Sequence, residues 1–136
     1  MKKILVPFDP TPTGEKALEF AFDEYAQDGR DLLIEAVYFN NHDEEPARSL
    51  YKKKVDEIAE KHDLDEGNIN FNIVVRSEDT ESPRKVGKLI IDYIQNNDFD
   101  NVIMGQHGKG LKESILEGSA SKKVANNSPI PVTIVP

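Results

Sequence analysis

Gly105, Gly108 and the Gly118-Ser119 pair stand at the spacing G-x2-G-x9-G-[ST], directly after the apolar, β-branched run Val102-Ile103-Met104. Glycines let main-chain N–H groups approach an anion with no Cβ in the way. Ser119 opens a helical pattern carrying Ala120, Val124 and Ala125, and a helix start adds unpaired donors and a partial positive charge. Its hydroxyl can cap that helix or meet a phosphate. The chemistry open to these residue types together is to hold a phosphate, mainly by backbone. Charge agrees: residues 105–123 carry four Lys and two Glu in a chain whose net charge is −8. Lys109 and Lys112 lie in that basic island and can screen phosphate charge.

Asp9 closes a second apolar run, Ile4-Leu5-Val6-Pro7-Phe8, and is followed by Pro10-Thr11-Pro12-Thr13. A carboxylate there can accept from a ribose hydroxyl or hold a divalent cation against phosphate oxygens. It can equally open a turn. Other chemistries find no support. Cysteine is absent, which removes disulfides, thiol catalysis and Cys-based zinc sites. His42, His62 and His107 share no metal-ligand spacing, and no Ser-His-Asp grouping stands out. Gly105 and Gly110 have the P-loop interval, but Leu111 follows where lysine is required, and G-x-G-x-x-G is absent. A response-regulator receiver needs an acidic pair at the end of its first strand, whereas Phe8 precedes the lone Asp9. The negative net charge argues against nonspecific nucleic-acid binding, which neutralises phosphates with Lys and Arg.

Two loops so far apart in sequence need a scaffold to bring them together. Strand-like runs fall at residues 2–8, 32–39, 69–75, 101–104 and 131–135. Between them, apolar residues recur at helical spacing: Ala17, Leu18, Ala21, Phe22 and Tyr25 after a Thr13 cap; Tyr51, Val55, Ile58 and His62 after Pro46; Val86, Leu89, Ile90, Tyr93 and Ile94 after Ser82-Pro83. Five strands separated by four helices predict an α/β, doubly wound, five-stranded parallel sheet with helices on both faces. Ligands of such sheets bind beyond the carboxyl ends of the strands, where strand order reverses. Asp9 and residues 105–110 then share one crevice if the first and fourth strands are neighbours.

At 136 residues the chain is expected to form one domain, 1–136. No apolar run approaches the ~18 residues of a membrane span, and Ile4-Leu5-Val6 is too short for an export signal. A cytoplasmic protein with no membrane and no nucleic-acid partner is the expectation. The glycosylation triplet Asn126-Asn127-Ser128 is then accidental.

With its first strand ending in Asp9, the glycine pattern, and the ending Pro131-Val132-Thr133-Ile134-Val135, the chain resembles the universal stress protein family over its whole length. The glycine pattern marks that family's ATP-binding branch, and Met104-Gly105-Gln106-His107-Gly108-Lys109 is similar to the form it takes there. The resemblance implies a sheet order of 3-2-1-4-5. It also implies that Pro7 and Asp9 border an adenosine, that Val37, after strand 2, lies near the adenine, and that Met104 and Gly105 line base and ribose. Gly108, Gly118, Ser119 and Ala120 would hold the phosphates, with His107 and Lys109 in the same loop. ATP with Mg or Mn is the implied ligand, Asp9 the possible contact to the cation, and residues 130–135 the implied homodimer interface. Two departures stand out. Pro10 removes a backbone donor where the family often has glycine. Gly87 falls inside the third helix, where glycine costs about 1 kcal/mol relative to alanine.

The expected function is an ATP-binding, homodimeric stress-response module read by a protein partner. No residue is a convincing general base, so binding rather than turnover is the expected activity, with slow ATP hydrolysis as an alternative. A nucleotide-independent dimeric interaction module of the same fold is the other.

Overall fold

The expected alternation of strands and helices is present. In the computed structural model, which describes residues 2–7, 12–25, 32–40, 45–62, 69–75, 83–105 and 118–136, the elements run β1 (Lys2–Pro7), α1 (Pro12–Tyr25), β2 (Leu32–Asn40), α2 (Glu45–Lys61), β3 (Ile69–Val75), α3 (Pro83–Gln95), β4 (Asn101–Gly105), α4 (Gly118–Asn127) and β5 (Val132–Val135). All strand pairs are parallel and the order is β3-β2-β1-β4-β5, as expected.

This order follows from the connections. The chain moves one way from β1 through β2 to β3, then crosses back to β4 and β5. Right-handed crossovers therefore place α1 and α2 on one face and α3 and α4 on the other. The packing shows the division. Ile4, Val6, Ile34, Ala36 and Ile103 meet Leu18, Phe22, Val55 and Ile58 from α1 and α2. Leu5, Val37, Phe39, Val102 and Met104 meet Val86, Ile90, Ile94 and Val124 from α3 and α4. Neighbouring residues of one strand thus point to opposite cores, so β1 is continuously apolar from Ile4 to Pro7 and β4 from Val102 to Gly105. Burying a side chain the size of Phe22, which is fully buried, is worth about 3 kcal/mol.

Element ends differ from the sequence expectation by a residue where hydrogen bonding decides. β2 continues to Asn40 because its pairing with β3 runs through Asn40 opposite Val75. β4 takes in Gly105, opposite Val135. β5 begins at Val132 rather than Pro131; proline has no N–H for the ladder, though its carbonyl accepts from Val102 N–H at 3.0 Å. Two helices close with an asparagine: Asn97 Nδ2 donates to the Tyr93 carbonyl and Asn127 Nδ2 to the Lys123 carbonyl, each at 2.9 Å. Asp100 fixes the entry to β4, accepting from Lys3 N–H at 2.9 Å through its carboxylate and donating its own N–H to the Lys3 carbonyl at 2.8 Å. Among the described residues no helix is long and apolar enough to cross a membrane.

Candidate functional site

β1 and β4 are neighbours, the condition that the two chemically promising loops required. Their register pairs Leu5 with Val102. Two residues further along each strand stand Pro7 and Met104, the last and next-to-last residues of their strands. On the other side of β1, Pro7 is opposite Val37. Val37, Pro7 and Met104 therefore form a row across three adjacent strands. Val37 and Met104 share the core on the α3 and α4 side, and alternation along β1 from Leu5 sets Pro7 toward the same side. All three are buried, Val37 and Met104 completely. Being buried, they lie in the core at and just below the strand ends.

Val37 requires a correction. It lies inside β2 and not after it, because β2 goes on pairing with β3 for three more residues. Gly105, also buried, ends β4.

α4 leads from the end of β4 back toward the start of β5, so its first residue, Gly118, sits at the end of the sheet where β1 and β4 terminate. Gly118, Ser119 and Ala120 form the first turn of this helix. The positive end of its dipole lies on the same face of the sheet as the row of Val37, Pro7 and Met104. The structure thus brings Pro7, Val37, Met104 and Gly105 together and sets Gly118 to Ala120 at a helix start on their side. Asp9, His107, Gly108 and Lys109 lie outside the described residues. So does the cation contact expected of Asp9, and among the described residues no group of three or more His, Cys, Asp or Glu could hold a metal.

A second polar feature escaped the reading of the sequence. Glu35 is 8% exposed at the middle of β2, on the α3 side of the sheet. Its carboxylate accepts from Asn70 Nδ2 of β3 at 2.9 Å and from the Tyr93 hydroxyl of α3. Asn72 Nδ2 donates to the same hydroxyl at 3.2 Å. Tyr93 also meets Phe39 and Phe99, with ring centroids 5.9 and 5.8 Å away. Burial first, and then the hydrogen bond to Glu35, push the Tyr93 hydroxyl up to about 12. The signal was a lone charge inside the apolar run Leu32-Leu33-Ile34-Glu35-Ala36-Val37. The cluster joins β2, β3 and α3, away from the β1–β4 junction.

Comparison with known proteins agrees with this architecture. The chain is similar to a universal stress protein solved in complex with cyclic AMP, with a TM-score of 0.71 and 14% identity over 99% of this chain and 96% of that one. It is similar to the universal stress protein of Archaeoglobus fulgidus in complex with dAMP, with a TM-score of 0.65 and 15% identity over 100% of this chain and 98% of that one. A hypothetical protein whose biochemical function was assigned from its structure gives a TM-score of 0.64 and 25% identity over 98% of this chain and 94% of that one. No curated protein matches the chain at a significant level. The model of the universal stress protein family matches residues 1–136, and the chain therefore belongs to the universal stress protein family.

Proposed function

We propose that this protein binds ATP, together with Mg²⁺ or Mn²⁺, and acts in the stress response as a cytoplasmic, homodimeric regulatory module whose nucleotide state is read by a protein partner. The observation that carries the reading is the adjacency of β1 and β4, with the two ends of the G-x2-G-x9-G-[ST] pattern falling at the last residue of β4 and the first of α4. The adenine lies over Val37, Pro7 and Met104, with Gly105 beside the ribose. The phosphates take main-chain N–H groups of Gly108, Gly118, Ser119 and Ala120, and His107 and Lys109 belong to the same loop. Asp9 faces the ribose or the cation. That one family member was solved with cyclic AMP and another with dAMP supports an adenine nucleotide. No residue of this set stands out as a general base, so holding the nucleotide is the activity this reading favours, with slow ATP hydrolysis as the alternative. The second protomer joins through β5, which is an edge strand.

Isothermal titration of the purified protein with ATP and Mg²⁺ tests the reading, with saturable binding expected. Absence of binding at millimolar nucleotide would overturn it. The nucleotide-independent interaction module would then stand, in keeping with the donor lost at Pro10.

A further inference from the structure

Gly87 is buried in the body of α3, where a glycine weakens the helix and contributes no side chain to the core. Its direction can be read from its neighbours. Tyr93 reaches β2 and β3 through Glu35 and Asn72, so the Leu89–Tyr93 flank of α3 points toward the β3 edge. Val86 and Ile90 lie between the flanks, both fully buried. At 100° per residue, Gly87 and Ile91 fall on the opposite flank, and both are buried. That flank points toward β4 and β5, the side on which α4 lies. The backbone of α3 approaches α4 far more extensively than it approaches any strand. Among the described side chains of α4, Ser121 and Val124 are buried, one turn apart.

We propose that Gly87 is a positioning residue for phosphate recognition: by presenting no side chain to α4, it lets that helix settle close against α3 and sets where its N-terminus, Gly118, stands relative to the ends of β1 and β4. The inference rests on the nucleotide reading above. A methyl group at position 87 raises helix propensity in α3 but pushes α4 outward. The floor of the crevice, made by the strands, is untouched. The effect therefore falls on the phosphates and spares the base.

The test compares wild type, Gly87→Ala and, as a control on the flank away from α4, Leu89→Ala. Affinities for ATP and adenosine are measured by titration, and amide hydrogen exchange is followed along α4. Gly87→Ala is expected to weaken ATP about tenfold, the worth of a hydrogen bond to a charged group, with adenosine affinity unchanged and exchange faster in α4 but not in β1. Leu89→Ala is expected to preserve the ATP-to-adenosine ratio. A Gly87→Ala protein with the wild-type ratio and wild-type α4 exchange overturns the proposal, as does an equal loss of ratio in Leu89→Ala. Should wild type bind neither compound, the nucleotide reading fails on its own, and α4 exchange in Gly87→Ala still decides whether Gly87 positions the helix.

Discussion

The Tyr93 hydroxyl donates to the Glu35 carboxylate across the contact between α3 and β2, joining residues 58 positions apart in sequence. The hydroxyl holds its proton to about pH 12, against 10.0 for a free tyrosine. Between those values the unfolded chain has released this proton and the fold has not. The stabilisation is complete below pH 10, declines as pH rises, and is gone above about 12. Ultraviolet titration of tyrosinate should show one of the four tyrosines ionising late, and Glu35→Gln should bring it earlier. A titration unaltered by Glu35→Gln would disconnect the two groups.

Glu35→Ala should destabilise the protein by about 2–3 kcal/mol, since it leaves the Asn70 amide and the Tyr93 hydroxyl without their shared acceptor. Tyr93→Phe should cost less, because the ring keeps its contacts with Phe39 and Phe99. Urea unfolding of both variants gives the order.

Among the described residues one pair links α1 to α2 and another links α1 to the turn just after α2, and they should differ in worth. Lys54 and Glu15 meet at 3.1 Å in an accessible setting, so Lys54→Ala should cost under about 1 kcal/mol. His62 places Nδ1 2.7 Å from the Asp23 carboxylate, and its ring, 17% exposed, lies edge-on to Phe22. His62→Ala removes packing as well as the polar contact and should cost about 1–2 kcal/mol. Thermal unfolding of the two variants side by side would show it.

Gly118→Val should abolish ATP binding while the protein stays folded, because a β-branched side chain at the first residue of α4 crowds an anion held by backbone. Circular dichroism checks the fold and titration the binding; an unchanged ATP affinity would place the site elsewhere.

Thr133 lies half-exposed in the edge strand β5, opposite Ile103 of β4. If β5 carries the homodimer, Thr133→Lys should yield monomers, since a charge on a strand edge opposes further pairing. Light scattering coupled to gel filtration distinguishes the two states, and a dimer that survives the substitution assigns the interface to another surface.

The fold was largely legible because periodicity changes sharply from strands to helices along the chain, and each parallel connection leaves few topologies open. Asn40 and Pro131 were misjudged because strand ends depend on which partner supplies the next hydrogen bond, and the partner is chosen in space. Val37 was set beyond strand 2 only by what the family resemblance implied, since the strand-like run 32–39 already contained it. Candidate site residues proposed to act through backbone, such as Gly105 and Gly118, announce themselves by what they lack. Glu35 and Tyr93 did not, because neither has a local partner; only the register of β2 on β3 and the rotation of α3 bring them together.

β1 is bonded to a strand on each side, and Ile4, Leu5 and Val6 are fully buried. Their amides should be among the last to exchange with solvent, opening only when the whole molecule unfolds. β3 and β5, each with one bonded neighbour, are free to breathe first. Pro7, where the proposed crevice has its floor, stands at the tip of this slowest strand, so the outer strands can fray, or take on a new partner, while the ground beneath the proposed ligand stays still.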